Sequence, residues 1–499
     1  MLAKPRADLK PNTAEYERQP LIKATGFREY DARWQFEKEI NLYGIQALGM
    51  GLGTLLHQKG IEPKIVVGHD FRSYSASIKN TLISGLMAAG CTVHDIGLAV
   101  SPMAYFAQFE LDIPAVAMVT ASHNDNGWTG VKMGCDRPLT FGPDEMLALK
   151  EIVLNGKWEK RSGGGLVHVE DMAERYIANL TKDKKLERPL KVVCACGNGT
   201  AGAFSPQVLR AIGCEVVELD CELDHSFPNY NPNPEALKML HAMADKVKEV
   251  GADVGLGFDG DGDRCGVVDN QGNEIFADKI GVMIARDIST ALPGSTFVAD
   301  VKSTSLFATD PVLLKNGAKA DFYKTGHSYI KARTTELDAV AGFEKSGHFF
   351  FRAPYGLGYD DGLVSAIMVC EMLDHAPDKT MADLYGDLPK TWGSPTMSPH
   401  CADEEKYGVV DKVVAHFQKI ADDGGQIAGQ DISEVITVNG IRIVLQDGTW
   451  GLVRASSNTP NLVVVVESPT SKENMKAMFA AIDGHLKNYP EVGEYDQKI

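Results

Sequence analysis

Val254-Gly255-Leu256-Gly257-Phe258-Asp259-Gly260-Asp261-Gly262-Asp263-Arg264 holds the most informative reading in the chain. Its first half is a short, uninterrupted apolar run, as expected of a strand covered on both faces. Its second half sets three carboxylates at alternate positions, spaced by glycines. Such carboxylates repel one another unless a hard cation sits among them, and Asp oxygens suit Mg²⁺, which leaves positions for phosphate or water. An EF-hand is excluded, because Arg264 stands where that loop needs Gly and Asn270 where it needs a bidentate Glu. A dinucleotide fingerprint fits the letters Gly255-x-Gly257-x-x-Gly260. However, the three acids would confront the pyrophosphate, and no helix opens there. The plain alternative is a solvated acidic turn.

The same grammar of apolar run, polar loop and helix-length segment recurs outward from this stretch. Residues 65–67 end in Gly68-His69-Asp70, residues 115–119 in Ser122-His123-Asn124, and residues 192–195 in Gly197-Asn198-Gly199. Further on, residues 297–301 end in Lys302-Ser303-Thr304 and residues 340–343 in Glu344-Lys345-Ser346. The expected fold is therefore α/β, with sheets largely parallel and covered by helices on both faces. Ligands of such sheets bind beyond the carboxyl ends of the strands, where each quoted loop lies. The last hundred residues differ. Strand-like runs at 441–445, 451–454 and 462–466 follow closely on one another, and a helical pattern covers 471–486. They imply a smaller α+β domain, entered through a linker at Trp392-Gly393-Ser394-Pro395.

The chain's 499 residues exceed what one core supports, so several domains are expected. The formal net charge of -17 repels nucleic acid and anionic membranes, so neither is an expected partner. A small anion remains possible where Arg and Lys converge. Nine cysteines without a CxxC pair read as reduced, mostly buried thiols. The first residues are polar and lack the apolar core of a signal peptide. No run approaches the roughly 18 apolar residues of a membrane span. Cytoplasmic location, as a monomer or weak homo-oligomer, is the expectation.

Three further loops carry chemistry. Thr120-Ala121-Ser122-His123-Asn124 places a hydroxyl on a strand end, with Lys132 downstream. Serine is a weak nucleophile and needs a base, a metal or prior phosphorylation; the same residues also suit a polar turn. No Gly-x-Ser-x-Gly elbow supports a serine hydrolase. Glu344-Lys345-Ser346-Gly347-His348 offers neighbouring acceptors and donors that suit a polyol, or a helix N-cap. Arg454-Ala455-Ser456-Ser457-Asn458-Thr459-Pro460 joins a guanidinium to hydroxyl and amide donors, fit for phosphate or for a hairpin turn.

Taken in this order, the four loops resemble the α-D-phosphohexomutase superfamily, most closely its bacterial phosphomannomutase/phosphoglucomutase branch. The resemblance runs from about Phe27 to Glu467. It implies three related α/β domains and a smaller C-terminal one, arranged around a central cleft. The expected divisions are 1–172, 173–274, 275–392 and 393–499. It also implies phosphoryl transfer between C1 and C6 of mannose or glucose phosphates, through a phosphoserine at Ser122 and a hexose 1,6-bisphosphate. Asp259, Asp261 and Asp263 would hold Mg²⁺ against that phosphate, with Arg264 beside the transferring group. Glu344 and Ser346 would grip ring hydroxyls next to His348. Arg454, Ser456, Ser457, Asn458 and Thr459 would hold the other phosphate. Lys132 and His327 match candidates for proton transfer and charge stabilisation, Lys302 another lysine of the cleft, and Tyr30 and Arg33 a pair at the entrance to the first domain.

Some positions depart from the family pattern. Asp125 replaces a proline, Thr129-Gly130 an Asn-Gly, Trp34 and Phe343 glycines, and Val465 an arginine after the phosphate loop. A phosphoglucosamine mutase shares the fold and chemistry, but its phosphate loop usually reads Arg-Pro-Ser-Gly-Thr-Glu-Pro. A phosphatase needs a site that admits water. A catalytically silent sugar-phosphate-binding protein is the rival from another class.

Overall fold

The structure is a computed structural model and describes residues 2–457 and 459–499. The chain divides into two compact units, residues 1–280 with 346–383, and residues 281–345 with 384–499.

The first unit carries two sheets. One contains β1 (Ala32–Gln35), β2 (Lys64–His69), β3 (Thr92–Leu98), β4 (Ala115–Val119), β5 (Trp128–Gly134) and β6 (Gly165–His168), in the order β1-β5-β4-β2-β3-β6. β4, β2, β3 and β6 run parallel, while β5 returns antiparallel on β4 and β1 antiparallel on β5. β4 is buried at every residue, which explains its unbroken apolar run. Helices Leu42–Gln58 and Ser75–Ala88 cross closely on this sheet. A Cβ on Gly85 would lie 2.2 Å from the Gln46 carbonyl, so glycine sets the approach.

The second sheet contains β7 (Lys191–Ala195), β8 (Glu215–Leu219), β9 (Val254–Phe258), β10 (Cys265–Asp269) and β11 (Glu274–Ile275), in the order β11-β10-β9-β7-β8. β9, β7 and β8 are parallel, and β10 returns antiparallel on β9 with Phe258 opposite Cys265.

Here the structure corrects the expected run-loop-helix order. The serine and Asp/Gly loops each connect a parallel strand to an antiparallel return strand. After Phe343, too, a strand (Phe349–Phe351) follows before helix Gly362–Asp374. The loops still leave the carboxyl ends of β4 and β9, but the return strand anchors their far ends as well.

In the second unit, β12 (Thr296–Asp300), β13 (Lys319–Tyr323) and β14 (Ala341–Phe343) pair in parallel in the order β13-β12-β14. The C-terminal sheet is antiparallel. With β15 denoting Phe349–Phe351, its strands are β16 (Trp392–Gly393), β17 (Gln426–Ile427), β18 (Gln430–Ile436), β19 (Ile441–Leu445), β20 (Trp450–Ala455) and β21 (Leu462–Ser468), ordered β16-β21-β20-β19-β18-β17. Helices Lys406–Asp422 and Lys472–Leu486 supply Val409, Val413, Met478 and Ile482 to its core. The expected linker is partly structural, since Trp392 pairs with Ser468 and Gly393 with Glu467 at the sheet edge. β18 gives little apolar signal in the sequence because its residues are largely half-buried or exposed. Among the described residues, no helix is long and apolar enough to cross a membrane.

Candidate functional site

Ser122 sits just past β4 with φ at 50°, in the left-handed region of the backbone. The amide of Ser122 donates to Thr120 Oγ1 at 2.9 Å, and its Oγ donates to Asp259 Oδ2 at 2.9 Å. His123 Nδ1 lies 3.1 Å from the same Oγ. Burial, with Arg264 and Arg33 nearby, holds His123 well below its usual pKa, so the ring is neutral. Arg33 donates to the Ala121 carbonyl at 2.9 Å and to Asn124 Oδ1 at 2.5 Å. Tyr30 is buried close to Arg33 in sequence, ahead of β1.

The Asp259–Arg264 loop meets the serine loop through main chain. A Cβ on Gly260 would stand 2.3 Å from the Ser122 carbonyl, so only glycine permits this approach. Asp259, Asp261 and Asp263 are fully buried, and one ligand oxygen of each lies within 4.8 Å of the others. Lys132 on β5 donates to Asp261 Oδ2 at 2.6 Å and also to Asp263 Oδ2. Burial disfavours the Lys132 ammonium, but the two carboxylates outweigh it and raise its pKa well above the usual value. Burial likewise opposes ionisation of Asp263, yet Lys132 and His348 hold it well below its usual pKa. Asp259 moves the other way, driven up by burial and then by Asp263 and Asp261. The cluster is therefore short of positive charge. Among the described residues, Asp261 Oδ1 is buried with no hydrogen-bond partner. An all-oxygen donor set with an orphaned oxygen and a deficit of cations fits a hard metal ion.

Arg264 and His348 close the far side. Arg264 Nε lies 3.2 Å from His348 Nε2 and 3.7 Å from Asp259 Oδ2. His348 Nε2 stands 3.4 Å from Asp263 Oδ1, and Ser346 Oγ lies 2.9 Å from its Nδ1. Ser122, Arg33, Lys132, the three aspartates, Arg264, Ser346 and His348 thus gather in the first unit.

The remaining expected residues belong to the second unit. Glu344 Oε1 accepts from the Gly326 amide at 2.5 Å, directly ahead of helix His327–Glu336. His327 is the first residue of that helix and is buried. Lys302 Nζ lies 3.9 Å from Asp300 Oδ2. Arg454 is the penultimate residue of β20, its guanidinium donating to the Ala455 carbonyl at 2.6 Å. Its Nε is buried with no partner among the described residues. Ser456 Oγ and Thr459 Oγ1 lie 2.8 Å apart in the following turn, with Ser457 half-buried between them. Asn458 lies outside the described residues.

Family models for phosphoglucomutase/phosphomannomutase match along the chain in sequence. Alpha/beta/alpha domains I, II and III cover residues 24–160, 170–272 and 276–392, and the C-terminal domain covers 400–485. This chain belongs to the phosphoglucomutase/phosphomannomutase family. A phosphomannomutase/phosphoglucomutase from Pseudomonas putida is 34% identical over 447 residues, covering 90% of this chain and 92% of that protein. A phosphoglucomutase from Neisseria meningitidis is 32% identical over 461 residues, covering 91% and 96%. A crystal structure of a phosphoglucomutase/phosphomannomutase family protein from Burkholderia thailandensis superposes with a TM-score of 0.84. It is 30% identical and covers 94% of this chain and 98% of that one.

Two further residues hold loops of the candidate site. Arg72, buried after β2, donates to the carbonyls of Asp125 at 2.9 Å, Ser122 at 3.1 Å and Asn124 at 2.6 Å. Asp300 ties three loops together. It accepts from Ser303 Oγ at 2.5 Å, Thr325 Oγ1 at 3.0 Å and the Lys345 amide at 3.3 Å. Arg72 follows β2 and Asp300 ends β12, and apart from Ser303 the partners named here lie 25 or more residues away in sequence.

The departures also find their places. The Asp125 carboxylate accepts from Asn231. Trp34 donates from Nε1 to the Lys23 carbonyl at 2.8 Å and packs edge-on against Phe27. Val465 is buried with Trp450, Leu452 and Val301. Arg442 shares its row across the sheet, since Leu452 pairs with both Arg442 and Val465. That guanidinium is committed to the Val301 and Ser303 carbonyls at 2.9 and 2.8 Å, so it is no stand-in for the missing arginine.

Proposed function

We propose that this chain interconverts the 1- and 6-phosphates of mannose or glucose. Ser122 carries the phosphoryl group, and a hexose 1,6-bisphosphate is the intermediate. The carrying observation is the Ser122 hydroxyl set 2.9 Å from Asp259, within a buried carboxylate cluster that also holds Lys132. A hydroxyl placed there is poorly suited to attack unaided, but well placed to carry a phosphoryl group whose charge a cation balances. Mg²⁺ is the proposed ion; held by Asp259, Asp261, Asp263 and an oxygen on Ser122, it would neutralise phosphoryl charge.

The chain's own residues do the rest. Lys132, an ammonium between Asp261 and Asp263, stabilises negative charge as the phosphoryl group leaves Ser122. Arg264, positioned by His348, offers guanidinium donors to the same group. Glu344 and Ser346 bind adjacent ring hydroxyls, with Lys302, Tyr30 and Arg33 also contacting substrate. His327 takes up or returns the hydroxyl proton. Arg454, with Ser456, Ser457, Asn458 and Thr459, holds the phosphate that is not transferring, and the unpartnered Arg454 Nε supports this assignment. The bisphosphate then reverses end for end, and its other phosphate returns to Ser122. In this scheme segments 1–172, 173–274, 275–392 and 393–499 contribute the serine, metal, sugar and phosphate loops in turn.

A coupled assay on mannose, glucose and glucosamine 1-phosphates, with Mg²⁺ and a trace of the matching bisphosphate, tests the proposal. Turnover of either of the first two supports it. Turnover of glucosamine 1-phosphate alone reassigns the substrate, and silence on all three by folded, phosphorylated protein overturns it.

A further inference from the structure

Away from the carboxylate cluster, the second sheet carries three thiols that the phosphoryl-transfer chemistry does not use. Cys194 lies on β7, Cys196 just past its carboxyl end, and Cys221 just past the end of the neighbouring strand β8. The strands run parallel with Ala195 opposite Leu219, so both chain exits, and all three side chains, meet at one sheet edge. Cys194 and Cys196 Sγ are 3.9 Å apart and Cys196 and Cys221 Sγ 3.5 Å apart, and all three sulfurs fall within 4.8 Å of one another. Each is buried, and none is in a disulfide.

We infer that Cys194, Cys196 and Cys221 form a three-thiolate site for a soft, closed-shell cation of the Cu(I) type. A metal held at about 2.3 Å from three sulfurs spaces them about 4 Å apart, close to the separations found here. Thiolate donors select soft ions over Mg²⁺, so this site and the oxygen cluster do not compete for one metal. Three sulfurs suit a trigonal ion, whereas Zn²⁺ prefers four ligands. Ser205 Oγ lies 3.3 Å from Cys196 Sγ and 3.6 Å from Cys194 Sγ, and it already donates to the Ala201 carbonyl at 2.7 Å.

The site also adjoins the phosphoryl-transfer machinery. The Cys196 carbonyl accepts from Gly199 N at 2.8 Å, and the next amide, Thr200 N, donates to the Gly260 carbonyl at 3.0 Å.

The test uses the full chain, reduced and stripped of metal, titrated anaerobically with Cu(I) against a chromophoric chelator. One tightly bound ion per chain is expected, with Zn²⁺ binding more weakly. Cys221→Ser lowers the Cu(I) affinity on the order of a hundredfold, while Cys401→Ser, a buried thiol of the C-terminal domain, leaves it unchanged. Alkylation followed by mass spectrometry provides a readout that needs no variant, because Cu(I) shields Cys194, Cys196 and Cys221 selectively. Equal weakening in both variants, shielding of other cysteines, or Cys196–Cys221 disulfide formation without Cu(I) uptake overturns the inference.

Discussion

Ser122 and Asp259 are 137 positions apart in the chain, yet the hydroxyl of one donates to the carboxylate of the other at 2.9 Å. Two independent sheets deliver them. β4 ends at the serine loop, β9 ends at the Asp/Gly loop, and the bare Cα of Gly260 lets the two main chains touch. Removing the hydroxyl tests what the pairing is for. Ser122→Ala is expected to lower mutase turnover by at least about 10³-fold and to abolish phosphoryl labelling of the protein by hexose 1,6-bisphosphate. Labelled, active Ser122→Ala protein would refute the assignment.

Lys132 is the internal counter-charge of Asp261 and Asp263. Lys132→Met leaves those carboxylates uncompensated and is expected to cost about 3–5 kcal/mol in metal-free protein. Because a bound cation supplies the missing charge, millimolar Mg²⁺ should recover more apparent stability in the variant than in the parent. Urea midpoints with and without Mg²⁺ measure both effects. Equal Mg²⁺ stabilisation of the two proteins would separate the ion from this cluster.

Arg72→Met removes the guanidinium that grips three carbonyls of the serine loop. Under the proposed function a loosened loop misplaces the Ser122 hydroxyl without touching the sugar, so kcat is expected to fall roughly 10- to 100-fold while KM changes little. Steady-state kinetics decides, and a change confined to KM counts against the positioning role.

Asp361 caps helix Gly362–Asp374, accepting from Leu363 N and Val364 N, and also accepts from the Tyr176 hydroxyl at 2.7 Å. Burial nevertheless raises its pKa to about 7. Its carboxyl titrates near 4 in an unfolded chain, so the fold favours the protonated form. The resulting stability is complete below about pH 4 and is lost as pH rises through about 7, a total of roughly 4 kcal/mol. Asp361→Asn keeps a capping acceptor and cannot ionise. It should therefore gain on the parent as pH rises from 5 to 8, read from denaturation midpoints across that range. A difference that stays flat with pH refutes the shift.

What the sequence disclosed follows from physical type. β4 and β9 are buried on both faces, so their apolar runs could be bounded closely, and the alternating aspartates expected to gather do gather in one buried cluster that could hold a metal ion. Helix Lys472–Leu486 likewise matched its periodic pattern closely. The return strand β5 was hidden because its residues 128–134 mix Trp, Thr, Gly and Lys, with Lys132 buried for its charge rather than for apolarity. β16 falls within the expected linker because two residues close to a proline carry no period. Arg72 and Asp300 were invisible for another reason. Folding brings each of them partners from far along the chain, the Asp125 carbonyl for Arg72 and Thr325 and Lys345 for Asp300, and a lone Arg or Asp gives no sign of these.

Arg72 has one further consequence. Its Nε pairs with Asp70 at 3.3 Å, so that its other nitrogens reach only carbonyl oxygens within the serine loop, and the Arg33 bond to the Ala121 carbonyl is of the same kind. Carbonyls are common to every amino acid, so this clamp is indifferent to which side chains the loop bears. Asp125 can stand in a proline's place without releasing it. The loop is thereby divided into a fixed chassis and an exchangeable exterior, and replacements at Asp125 or Asn126 offer a way to retune the rim of the site while the phosphoryl carrier stays where it is.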